Sequence, residues 1–120
     1  MNAPKLEGRR ILLVEDEYFQ AREIRGYLEH AGMIVIGPTG YADEVSALLA
    51  AEQPDAALVD INLGTGANYE TARILKDQGV PFAFFTGYDQ AVIPAEMGAV
   101  PRLEKPATEK QVIHLLNTLI

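Results

Sequence analysis

Cysteine and tryptophan are both absent from this chain. Without cysteine there is no disulfide framework and no thiolate metal site, so a cytoplasmic domain is the simplest expectation. Long apolar runs are missing as well. None approaches the ~20 residues that a membrane helix needs, and the N-terminus lacks the apolar core of a signal peptide, so no membrane partner is expected. Positive charge is scarce: 10 Lys and Arg stand against 17 Asp and Glu, for a net charge of -7. That balance argues against a nucleic-acid binder, because phosphate backbones attract a surplus of Lys and Arg. It also points to an acidic site whose charge a cation would offset. Internal repeats, low-complexity tracts and linkers are absent, and nothing in the pattern suggests a second domain.

What is present suits one globular domain. The 120 residues are 48% hydrophobic and 22% charged, enough for one core. Residues 1–8, with Pro4 and Gly8 and no periodicity, read as a flexible lead-in, and 9–120 as the domain. Ile11 to Val14 is a short run apolar on both faces, as a central parallel strand should be. Ala21, Ile24, Leu28 and Ala31 then form one stripe of a helix that Gly32 stops. Met33 to Ile36 predicts a second strand closed by Gly37-Pro38, and Tyr41 to Glu52 a second helix with Ala42, Val45, Leu48 and Leu49 inward. Ala56 to Val59 predicts a third strand whose tip carries Asp60. A helix over about Ala67 to Gln78 follows, and then a fourth strand, Phe82 to Phe85.

Beyond Thr86-Gly87-Tyr88 the pattern weakens. Asp89 to Met97 holds at most a short helix interrupted by Pro94, the least regular and most mobile element expected. Ala99 to Leu103 is a poor strand containing Pro101, suited to a sheet edge. Thr108 to Gln111 is a capping-box sequence, followed by Val112, Leu115, Leu116 and Leu119 at helical spacing. Five strands alternating with five helices imply an α/β fold with a parallel sheet covered on both faces.

In such a sheet the residues just past each strand gather on one edge, where ligands bind. Glu15 and Asp16 follow strand one, Asp60 strand three, Thr86 strand four and Lys105 strand five. At ~5 Å and an effective dielectric of ~20, each carboxylate pair costs on the order of 3 kcal/mol and the trio about 10. One lysine does not offset that. A divalent cation does, and an all-oxygen site with room for water suits Mg²⁺, with the Asn62 main-chain carbonyl as a further ligand. A cation, an ammonium and a hydroxyl around a carboxylate suit a group with several negative oxygens. Phosphoryl transfer needs little beyond positioning and charge neutralisation. Asp60 is then the nucleophile, with Lys105 and Thr86 holding phosphoryl oxygens.

These residues give the chain its family resemblance. Val14-Glu15-Asp16-Glu17, Asp60 at the end of strand three, Thr86 after strand four and Lys105-Pro106 after strand five resemble a response-regulator receiver domain of two-component signalling, over essentially the whole chain. The resemblance implies a flavodoxin-like sheet of order 2-1-3-4-5. It also implies Mg²⁺-dependent transfer of a phosphoryl group from a sensor histidine kinase or histidine phosphotransferase to Asp60, followed by slow self-catalysed hydrolysis. Two features depart from the pattern. Arg102 stands where the family usually has a Tyr or Phe, three residues before the lysine. The run from Phe82 to Tyr88 resembles a subgroup with a Phe-x-Phe-x-Thr-Gly-Tyr signature, so Tyr88 is expected to serve as the switching ring alongside Thr86.

Plainer readings stand beside these. Glu15 and Asp16 would also suit a helix dipole, Glu17 is expected to be solvated, and Lys105 and Thr86 could be ordinary surface and strand-end residues. Arg102 reads equally as a partner contact or a solvated edge charge, and His30 and His114 as surface histidines. A flavodoxin-like electron carrier would find its flavin phosphate repelled by Glu15-Asp16-Glu17. An aspartyl-nucleophile phosphatase would typically carry an acid at position 62, where this chain has Asn62, and would need a cap. With no output segment expected after the last helix, the chain reads as a stand-alone switch, not an enzyme, signalling through protein contacts to a downstream partner that the sequence does not name. A longer protein cut at this point, or a binding module that works without phosphorylation, are the alternatives.

Overall fold

The computed structural model describes residues 5–61, 69–86 and 95–120, with the backbone alone at Thr86. In chain order the elements are β1 (Arg10–Val14), α1 (Tyr18–His30), β2 (Ile34–Thr39), α2 (Ala42–Glu52), β3 (Ala56–Asp60), α3 (Glu70–Asp77), β4 (Phe82–Thr86), a single 3-10 turn (Ala95–Met97), β5 (Arg102–Glu104) and α4 (Glu109–Leu119). All four strand pairings are parallel, in the order β2-β1-β3-β4-β5. This is the flavodoxin-like order that the sequence led us to expect. The described residues hold four helices, not five. The expected helix over 89–97 falls largely outside them, and its described end is the 3-10 turn. The third helix starts at Glu70, and positions 67 and 68 of its expected span also lie outside the described residues.

Strand alternation explains why the central strands are apolar throughout. Ile11, Leu13, Ala56, Leu58, Ala83 and Phe85 face one way, onto Ala21, Ile24 and Leu28 of α1 and Val112, Ile113 and Leu116 of α4. Leu12, Val14, Ala57, Val59, Phe82 and Phe84 face the other, onto Val45 and Leu49 of α2 and Ala72 and Leu75 of α3. A strand with a core on each side has no position for a polar residue until it ends. That is why the first acids appear at Glu15 and Asp60. The lead-in expected over residues 1–8 is tied down at its end: Leu6 is fully buried in the first core, and the Gly8 N–H donates to the Gly32 carbonyl at 2.8 Å.

β2 runs through Gly37-Pro38 to Thr39 and does not stop at Ile36. It is an edge strand, the place in a sheet where a proline without an N–H is tolerated. Leu12 pairs with Ile36 and Val14 with Thr39, so β2 carries one extra residue there, a bulge. Gly37 makes it possible with φ of +92°, and a Cβ would lie 2.9 Å from the Thr39 nitrogen. The opposite edge, β5, is short and begins just after Pro101. On α4, Thr108 and Gln111 form the reciprocal capping box that their spacing predicts.

Candidate functional site

Register alone brings the functional residues together. Val14 pairs with Val59, so Glu15, one residue on, lies beside Asp60. Asp60 pairs with Phe85 and Thr86 with Glu104, so the end of β4 and Lys105 complete the row. Glu15 is 6% exposed and Asp60 4%, whereas Asp16 is exposed. One carboxylate oxygen from each of Glu15, Asp16 and Asp60 lies within 4.8 Å of the others. Lys105 comes from the far side of the sheet to close the site. Its Nζ donates to Glu15 Oε1 at 2.8 Å and to Asp60 Oδ2 at 2.9 Å, and stands 5.6 Å from the centre of the Phe85 ring.

The electrostatics refine the charge argument made from sequence. Burial, together with a hydrogen bond shared with Asp60, pushes the Glu15 carboxyl up from 4.5 to about 7, against the pull of Lys105. Burial works against the Lys105 ammonium too, but its hydrogen bonds to Glu15 and Asp60 outweigh that and raise it above its ordinary value. Without a metal ion the ammonium offsets part of the repulsion, and burial beside Asp60 favours the protonated form of Glu15.

The donor set fits a hard cation that displaces that proton. Oxygens bound to one Mg²⁺ at about 2.1 Å lie at most about 4.2 Å apart, and those around Ca²⁺ somewhat farther. A spread of 4.8 Å is within a small side-chain adjustment of either. Glu15, Asp16 and Asp60 are the residues that would hold such an ion.

β4 ends at Thr86 on the same edge as Asp60, and only its backbone is described. Asn62, with its main-chain carbonyl, and Tyr88 lie outside the described residues. Arg102 opens β5 and is exposed. His114 is exposed, and His30 Nδ1 lies 2.9 Å from Glu109 Oε1, bridging α1 and α4. Glu17 is exposed, as expected, and has a second role: its carboxylate caps α1, accepting from the N–H groups of Phe19 at 3.2 Å and Gln20 at 2.8 Å. Sequence reasoning missed Gly40. A Cβ on it would lie 2.7 Å from the Asp16 Cβ, so this glycine lets α2's leading loop close against a site acid. The signal was present as Gly-Pro-Thr-Gly (Gly37 to Gly40), which reads as a turn and says nothing about what packs on it.

The family model for the response regulator receiver domain matches residues 11–117. The chain belongs to the response regulator receiver domain family, as the residue pattern at the strand ends led us to expect. Among curated relatives, the sensory transduction protein LytT of Bacillus cereus is 31% identical over 112 residues, covering 90% of this chain and 46% of LytT. The chain thus spans about half of that relative. Among solved structures, SdrG from Sphingomonas melonis Fr1 superposes with a TM-score of 0.80 at 29% identity, over 94% of this chain and 98% of SdrG. The BeF3-activated conformation of SdrG gives 0.76 at 28% identity, over 92% and 96%. The response regulator PhyR from Brucella abortus gives 0.76 at 27% identity, over 93% of this chain and 47% of PhyR. No helix among the described residues is long and apolar enough to cross a membrane.

Proposed function

We propose that this receiver domain is a phosphoacceptor switch in which Asp60 takes a phosphoryl group from a phosphohistidine on a sensor kinase or histidine phosphotransferase. One observation carries the reading: a carboxylate only 4% exposed, at the open edge of the sheet, has an ammonium at 2.9 Å and two further acids within 4.8 Å. In the transfer, an Asp60 oxygen forms a bond to phosphorus and the phosphorus–nitrogen bond to the donor imidazole breaks. The imidazole leaves and an acyl phosphate remains. Lys105, already hydrogen-bonded to Asp60, neutralises charge on the phosphoryl oxygens, and Thr86 donates to one of them. A divalent cation, Mg²⁺ in this reading, supplies positive charge at those oxygens when bound by Glu15, Asp16 and Asp60, with the Asn62 carbonyl completing the set.

The resemblance to BeF3-activated SdrG supports this, because trifluoroberyllate on a carboxylate has the shape and charge of a phosphoryl group. A module that works without phosphorylation has no use for three acids and a lysine held together at one edge. Thr86 and Tyr88 carry the switch, the phosphate is lost by slow self-catalysed hydrolysis, and the signal passes to protein partners in the cytoplasm. The test is transfer of labelled phosphate from an autophosphorylated histidine kinase to the domain with Mg²⁺ present. Transfer that is abolished in Asp60→Asn and lost with chelator supports the proposal. Label that persists on Asp60→Asn contradicts it.

A further inference from the structure

Glu15 and Asp60 are locked in place by Lys105. Asp16 is not: among the described residues it has no hydrogen bond or ion pair, and it is exposed. The contact that the third acid does make is with Gly40. We infer that Thr39 and Gly40, on the edge strand and the turn after it, are positioning residues that aim Asp16 at the cation and set the site's preference for Mg²⁺ over larger ions. The inference rests on the reading of Glu15, Asp16 and Asp60 as a cation site and adds residues that touch neither ion nor phosphoryl group.

The extra residue in β2 carries Thr39 past the end of β1, where its carbonyl accepts the Glu15 N–H at 2.8 Å. Thr39 is itself 5% exposed and is held from both sides. Its Oγ1 donates to Glu44 Oε1 of α2 at 2.9 Å and accepts the Tyr41 N–H at 3.3 Å. The backbone of the loop bearing both acids is thereby tied to α2. Gly40 then lies against Asp16: a Cβ there would meet Asp16 Cβ at 2.7 Å, closer than carbon atoms tolerate, and Asp16 Cα at 3.2 Å, a tight contact. No positive φ explains a glycine at this position, so the close approach does. Gly26 is the contrasting case. It lies on α1, and a Cβ added there would find nothing within 4 Å, so the same methyl group meets open space.

In Gly40→Ala, Asp16 has to retreat until the contact reaches about 3.5–4 Å. Mg²⁺ demands near-ideal octahedral geometry at short distances, whereas Ca²⁺ accepts longer bonds and irregular shells. The loss therefore falls mainly on Mg²⁺. Calorimetric titration of the unphosphorylated domain with Mg²⁺ and, separately, Ca²⁺ is the test. Gly40→Ala is expected to weaken Mg²⁺ on the order of 10- to 100-fold, the range seen when groups behind metal ligands are changed, and Ca²⁺ by clearly less. Gly26→Ala is expected to leave both unchanged. Should Gly40→Ala fail to fold, Thr39→Val keeps the carbonyl but loses both Oγ1 contacts, and the same selective drop in Mg²⁺ affinity is expected. Unchanged Mg²⁺ affinity, or equal losses for the two ions, overturns the inference. A wild-type domain that takes up neither ion sinks the proposed function instead, so the two failures are distinguishable.

Discussion

At the scale of single residues, the site is a set of buried charges whose balance depends on pH. Glu15 has a folded-state value of about 7 against 4.5 unfolded, so between those limits the folded domain holds more protons than the unfolded chain. Its contribution to metal-free stability is fully present below pH 4.5 and is lost as pH rises through about 7. In the proposed reading, a cation bound by Glu15 would displace a proton wherever the carboxyl is still protonated. Calorimetry in buffers of different ionisation enthalpy should therefore show proton release on Mg²⁺ binding near pH 6, and little near pH 9. Equal release at both would contradict the assignment. Lys105→Met removes the ammonium between two buried acids. Urea unfolding without metal should show a loss of about 1.5–3 kcal/mol at pH 8, and a smaller loss at pH 5, where Glu15 keeps its proton. The identities of these residues were legible in the sequence, because acids at the tips of apolar strands have one place to go. The proton on Glu15 was not, since it depends on how deeply the carboxyl is buried and how near Asp60 stands.

At the scale of elements, local chemistry fixes where helices begin and leaves one of them weaker than it need be. Glu17 caps α1 through two N–H groups, so Glu17→Ala should lower stability by about 1 kcal/mol, seen as a lower melting temperature with Mg²⁺ affinity preserved. Gly26→Ala should do the reverse, raising stability by roughly 0.5–1 kcal/mol, because it restores helix propensity where there is room. The stripe on α1 and the capping box on α4 were plain from spacing, and both hold. The end of β2 was not. Gly37-Pro38 is ordinarily punctuation, and only its place at the sheet edge, with a bulge to absorb the extra residue, lets the strand continue to Thr39. Glu17 was read as solvated because a carboxylate among like charges gives no sign of which backbone N–H groups lie within reach.

At the scale of the whole molecule, two cores hold one parallel sheet, and that is why acids 45 residues apart, at positions 15 and 60, meet at its open edge. The alternation of strands and helices could be read in advance from apolar runs of strand length separated by helical stripes, whereas the strand order came only from the resemblance to a family. Leu6 escaped that reading, since a lone leucine between Pro4 and Gly8 has no period, yet it fills the first core. The convergence of Glu15, Asp16, Asp60 and Lys105 has its most direct test in the intact mass of the purified domain after incubation with acetyl phosphate. With Mg²⁺ the expected result is a gain of one phosphoryl group that maps to Asp60, disappears with chelator and is absent from Asp60→Asn. No gain with Mg²⁺ present, or a gain that survives in Asp60→Asn, would contradict it.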